Sequence, residues 1–396
     1  MVSGKTSRDG RRRATGAANG RSRSSARTAY HRAYNPRLAH FPAFLVSDMD
    51  KVARRQIALW LLVCSAMVFA ILVVGGVTRL THSGLSIVEW QPIVGVIPPL
   101  NQAEWDETFD KYKKTPEYQK VNHQMSLDEF KFIFYWEYWH RVLGRLIGVV
   151  FLVPFAYFLL RRKLDPPLIP KLLGIFVLGG MQGAMGWYMV KSGLVDDPRV
   201  SQYRLTAHLS LAFLIFIAMM WVALGLWSER ARGTAEDTLR GLQRAGFWLA
   251  VLAFYMVITG GFVAGIRAGK AYNTFPLMNG HVLPPESFIL DPWYLNLFNN
   301  MALVQFDHRV GAWLLAVLVP WFWVKSRTPV VSTRAKSVAS LLLVAVAAQI
   351  ALGIATLLAG VPVALGAAHQ GGAMVVFGVL LWVNHELRVA RDPGMA

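Results

Sequence analysis

The chain has 396 residues, of which 54% are hydrophobic and only 16% charged, with 14 tryptophans. This composition excludes an ordinary soluble protein, whose surface would be far more charged, and indicates an integral membrane protein. The net charge of +18 does not form a basic stripe interleaved with aromatics: 13 of the 41 Lys and Arg fall in residues 1–56 and others in short loops, so nucleic acid is excluded as a partner and the charge reads as membrane topology.

Residues 1–56 form a basic N-terminal tail. Asp9 is the only acid in the first forty residues, and the apolar core of a secretory signal is missing. A mitochondrial transit peptide has the same composition, but a cytoplasmic tail needs no processing step. Eight apolar segments of spanning length follow, at 57–77, 137–160, 171–190, 205–227, 246–265, 303–324, 337–358 and 366–385. With the N-terminus inside, the inner loops include Arg161-Arg162-Lys163 and Lys325-Ser326-Arg327, whereas the outer loops are longer and poorer in cations. Both termini are therefore expected to be cytoplasmic. Cys64 lies alone in the first segment, which rules out an internal disulfide and any cysteine-based metal site.

The segments repeat. His140-Arg141-Val142 and His308-Arg309-Val310 each open an apolar stretch. Each is followed by a Gln-x-x-x-Gly helix (Gln182 to Gly186, Gln349 to Gly353) and then by an Ala-His pair (Ala207-His208, Ala368-His369). Gly75-Gly76 and Gly260-Gly261 close the first helix of each copy, with Arg79 and Arg267 just beyond. The expected fold is an all-α integral membrane protein of eight transmembrane helices, arranged as two parallel-repeat four-helix bundles. The N-terminal half spans 57–230 with a long outer loop at 78–136, in which a helix is expected to start at Asn101. The C-terminal half spans 231–390 with an outer loop at 266–302.

Ionisable side chains at membrane depth are costly and point to function. His140, His208, His308 and His369 all fall near the outer ends of even-numbered spans, two per half. Two imidazoles opposed on neighbouring helices suit axial ligation of a haem iron inside a four-helix bundle. Zinc is the weaker fit, because no cysteine or carboxylate stands at metal-ligand spacing. Arg79, Arg141 and Arg309 lie at the same end, where cations can meet haem propionates. Glu137 stands three residues before His140 and Gln305 three before His308, so each shares a helical face with its imidazole. A carboxylate can take up a proton and an amide cannot, which marks the first half as the reactive one and Glu137 as its catalytic candidate. The same spacing also allows a plain ion pair between Glu137 and Arg141. Gln182 and Gln349 read as helix-packing hydrogen bonders. His82, His123 and His281 have no repeated partner and read as surface residues.

Over residues 57–390 the chain resembles the haem A synthase family, in the version shared by mitochondrial and alphaproteobacterial members. The likeness rests on Gly75-Gly76-Val77-Thr78-Arg79-Leu80, Gly84-Leu85-Ser86, Glu137-Tyr138-Trp139-His140-Arg141, Thr206-Ala207-His208, Phe306-Asp307-His308-Arg309 and Ala368-His369-Gln370. Some bacterial members carry an outer cysteine pair that this chain lacks. The resemblance implies oxidation of a ring methyl of haem O to a formyl group through successive hydroxylations, giving haem A for terminal oxidases. It further implies that His140 and His208 flank haem O and its product, that His308 and His369 hold a retained haem b, and that Glu137 is the family's functional glutamate. The expected setting is a bacterial inner membrane, with the mitochondrial inner membrane as the other home of the family. Haem O synthase, oxidase assembly factors and an electron-transfer partner are the protein partners it suggests; homo-oligomerisation is left open. Read from the residues alone, a di-haem b-type, quinol-linked electron-transfer protein without haem modification is the competing reading.

Overall fold

The computed structural model describes residues 49–89, 95–193, 200–228 and 237–388. The expected tail lies outside these residues as far as position 48. Among the described residues the structure is helical and has no strand. In chain order the helices are α1 (Lys51–Leu80), α2 (Gln102–Lys113), α3 (Pro116–Lys120), α4 (Leu127–Leu160), α5 (Ile169–Gly193), α6 (Gln202–Trp227), α7 (Asp237–Gly265), α8 (Ala268–Ala271), α9 (Asn296–Asn299), α10 (Met301–Lys325), α11 (Thr333–Leu358) and α12 (Val363–Glu386). Eight of these are long and apolar enough to cross a bilayer, and they are the eight expected spans.

Each span is longer than its apolar run because polar residues at the ends continue the helix. Asp50 caps α1 by accepting from the Val52 amide, and the 30 residues that follow rise about 45 Å. The largest departure is α4, which begins at Leu127 rather than near 137. Ser126 and Glu129 form a reciprocal capping box there, satisfying two amides that would otherwise lack partners.

Within the N-terminal half α1 packs on α4 and α6, and α5 on α4 and α6, closing a four-helix ring. In the C-terminal half α7 packs on α10 and α12, and α11 on α10 and α12, closing a second. The rings meet where α1 touches α12, α6 touches α7, and α6 touches α12. In the hydrocarbon region burial of apolar surface does not by itself drive helix association, so close packing and interhelical hydrogen bonds hold this seam. Gln370 Nε2 donates across it to the Leu72 carbonyl at 2.8 Å, and within the second ring Asn384 Nδ2 donates to the Gly246 carbonyl at 3.0 Å. Between them runs a continuous apolar core that includes the fully buried Leu61, Phe213, Met219, Leu342 and Met374. Leu152, Val153, Val177, Val317 and Val344 point outward from the peripheral helices, as side chains facing lipid do.

The two outer loops are folded caps. In the first, α2 lays Trp105, Phe109 and Tyr112, and α3 lays Tyr118, against Phe130, Ile133, Phe134 and Tyr138 of α4. Asn101 caps α2 by accepting from the Glu104 amide, as the sequence suggests, and Thr115 caps α3 ahead of Pro116. In the second, Asn296 and Asn300 gather the carbonyls of Leu290, Trp293 and Glu286 and fix the chain into the start of α10.

Candidate functional site

The four repeated histidines sit on four matching seats. A Cβ placed on Gly75 of α1 would lie 2.7 Å from Cε1 of His140 on α4, and one on Gly260 of α7 would lie 3.2 Å from Cε1 of His308 on α10. Likewise Gly186 of α5 faces His208 of α6 at 3.2 Å, and Gly353 of α11 faces His369 of α12 at 2.7 Å. Each imidazole thus lies flush against a neighbouring helix at the one residue type that leaves room for it. All four rings are half-buried.

Polar neighbours fix the rings further. Gln182, one turn before Gly186, brings Nε2 to 3.3 Å from His208 Nε2. Gln349, one turn before Gly353, brings Nε2 to 3.2 Å from His369 Nδ1 and donates to the His369 carbonyl at 2.8 Å. Thr259 Oγ1 lies 2.9 Å from His308 Nδ1. His308 and His369 form a pair, with ring centres 6.5 Å apart and ring planes at 80°, and His208 lies within electrostatic reach of His140. The buried Nδ1 atoms of His140 and His208 and the Oε1 atoms of Gln182 and Gln349 have no hydrogen-bond partner. No cluster of three or more His, Cys, Asp and Glu forms among the described residues, so the imidazoles stand as two pairs rather than as part of a zinc-type chelate.

Glu137 is buried at the outer mouth of the first pair. One carboxylate oxygen accepts from Ser86 Oγ at 2.7 Å and from the Ile87 amide at 2.8 Å. The other accepts from Arg141 at 2.6 Å, so the ion pair allowed by the spacing does form, inside a larger network. Arg141 also donates to the Ile87 carbonyl at 2.9 Å. The C-terminal half repeats the device without the charge. Gln305 donates to the Tyr272 carbonyl at 2.9 Å, and Arg309 donates to Thr274 at 2.8 Å and Pro276 at 3.1 Å. Arg141 and Arg309 therefore clamp the loops that close the two outer mouths.

Arg79 lies elsewhere, at the seam between the halves, near Arg267. His82 is not a plain surface residue: its Nδ1 is 3.3 Å from Arg267, and both residues hold the left-handed backbone (φ 56° and 58°) seven positions after their seat glycines. Burial, and then the charges of Arg267, Arg79 and Lys270, hold His82 below its ordinary pKa. Nearby Glu117 is buried in the cap, and that burial pushes its carboxyl up to about 7 against the pull of Arg267. The glycine seats were partly visible in the sequence as the Gly-Gly pairs and the Gln-x-x-x-Gly repeats. Thr259 and the Ser86–Glu137 bond were not singled out, because nothing in the residue pattern says which loop closes over which helix.

A protein of Nitrosospira multiformis named "Heme A synthase" is 61% identical over 342 residues, covering 86% of this chain and 96% of its own length. Proteins of the same name from Nitrosomonas eutropha and Parvibaculum lavamentivorans are 54% and 51% identical over comparable lengths. The family model described as cytochrome oxidase assembly protein, COX15-CtaA, matches residues 58–381, which reach from within the first span to within the last and include all four histidine seats, and the chain belongs to that family.

Proposed function

We propose that this chain is a haem A synthase: a multi-pass membrane oxidoreductase that oxidises a ring methyl of haem O to a formyl group and so supplies haem A to terminal oxidases. The relatives' shared name supports the reaction, and the observation that carries it in this molecule is the pairing of imidazoles, once in each four-helix ring. The His308 and His369 ring centres are 6.5 Å apart, and this pair would hold the iron of a haem placed between them.

In this reading His140 and His208 flank haem O and its product, while His308 and His369 ligate a retained haem b. When bound, that second haem supplies a one-electron carrier beside the substrate site. Arg141 and Arg309 supply positive charge for propionates at the two outer mouths, alongside the loop bonds they already make, and Arg79 adds positive charge from the seam between them. Glu137 presents a buried carboxylate one turn outside His140, where it takes up a proton or balances positive charge developing on the substrate. The half that lacks a carboxylate at this position is the one assigned to electron transfer. The isoprenoid tail of haem O lies along apolar helix surface, reached from the bilayer. A bacterial inner membrane is the assigned location.

The test is to purify the protein, supply haem O with a reductant and oxygen, and chromatograph the extracted haems. Conversion to haem A, or to a hydroxylated haem O, is expected. Haem B alone, with haem O returned unchanged, overturns the assignment.

A further inference from the structure

The two halves differ in what stands behind the first histidine of each pair. In the C-terminal half Thr259 directly precedes the seat Gly260. Its hydroxyl donates to the Met256 carbonyl at 3.3 Å, so a lone pair faces His308 Nδ1 at 2.9 Å. In the tautomer that keeps the Nε2 lone pair available, Nδ1–H donates to Thr259 Oγ1. In the N-terminal half the residue before the seat Gly75 is Val74, which offers no such acceptor. His140 Nδ1 is buried there with no side-chain partner. The second histidine of each half meets an amide group instead, Gln349 at His369 Nδ1 and Gln182 at His208 Nε2, so the asymmetry that matters here lies at the first histidine of each pair.

We propose that Thr259 is the positioning residue that makes the C-terminal pair a retaining haem site, and that Val74 at the matching place makes the N-terminal pair an exchanging one. The proposal rests on the two-site reading above. A hydrogen bond on the far nitrogen fixes the tautomer and the ring plane of a metal-binding imidazole and raises its basicity; loss of such a partner typically weakens metal binding about 10- to 100-fold. A cofactor that must stay benefits from that hold. A substrate that must leave once its methyl is oxidised is better served by an imidazole without it. One hydroxyl, present in one copy and absent from the other, divides a duplicated site into two kinds.

The test uses the full protein in detergent with its bound haem, and apomyoglobin as the haem acceptor. Thr259→Val keeps the side-chain shape and removes the acceptor. It is expected to speed transfer of the retained haem about 10- to 100-fold and to move its reduction potential in the positive direction. Thr259→Ser is expected to restore both. Val74→Thr is expected to slow haem release from the N-terminal site while the retained haem keeps its potential. Unchanged transfer and potential in Thr259→Val overturn the proposal, as does equal impairment in the Val and Ser variants, which would make packing the cause. An unchanged release rate in Val74→Thr overturns the assignment of the exchanging half. His308→Ala is measured alongside: if the retained haem survives it, the two-site reading itself is wrong, independently of Thr259.

Discussion

Four times in this chain a histidine ring lies where a neighbouring helix has only a hydrogen to offer, and the clearances are unequal. A methyl group on Gly75 or Gly353 would lie 2.7 Å from an imidazole carbon, one on Gly186 or Gly260 3.2 Å away. The tighter pair must displace the ring; the looser pair can absorb a shift of a few tenths of an ångström. Gly353→Ala is therefore expected to cost the retained haem, and Gly260→Ala to reduce it less, as read from haem absorbance per protein. Overpacking of this kind typically costs about 1–3 kcal/mol. Equal haem content in the two variants would show that the seats do not set ring position. Glu137→Gln separates charge from shape: the amide still fits beside Ser86 and Ile87, but the carboxylate facing Arg141 is gone. Haem content is expected to hold while conversion falls about 10²- to 10⁴-fold. Loss of haem together with conversion would instead make Glu137 a loop anchor. The histidines were legible in the sequence because a polar ring inside an apolar run stands out. The partners that tune them were not, since a threonine in such a run, or a serine in a loop, has no distinguishing mark until the ring it faces has been located.

The spans were legible as elements because their apolar runs exceed the bilayer thickness, and the helix ends less so. The start of α4 shows why. The apolar count begins near residue 137, yet the helix starts ten residues earlier, and those extra turns are buried by the aromatic side of α2 and α3. That cover is tertiary and leaves no periodic trace in either segment alone. Glu117 lies buried in this cap, next to the cationic seam, and its pH behaviour can be worked out. Its carboxyl titrates near 7 when folded and near its ordinary value of 4.5 when the cap opens. The folded cap therefore binds the proton more tightly, its stability is highest at low pH, and it falls as pH rises from about 4.5 to about 7. The full effect is on the order of 3 kcal/mol. Amide exchange across α2 and α3 should be faster at pH 8 than at pH 5 after correction for intrinsic rates, and Glu117→Gln should flatten the difference. A cap equally protected at both pH values would refute this account.

The eight described spans form two helical rings joined along a seam of α1, α6, α7 and α12, each ring carrying its own pair of imidazoles. The seam runs close to the seats: Gln370, next to His369, donates to Leu72 and packs against Gly76, and Gly261 packs against Thr206. Each imidazole is nonetheless seated on a glycine of its own ring. Removing one pair should therefore leave the other pair's ligands in place, and the two losses should differ in kind. His308→Ala or His369→Ala is expected to remove the retained low-spin haem spectrum while haem O still binds. His140→Ala or His208→Ala is expected to leave that spectrum in place and to stop conversion. Low-temperature absorbance and electron paramagnetic resonance on each variant, with haem O titrated in, read both sites at once. If all four variants lost both signals, the histidines would serve a single shared site or the fold of the seam itself, and the assignment of one pair to each ring would fail. If the two pairs separate as expected, the duplication is a division of labour: one ring holds its haem and the other turns its haem over.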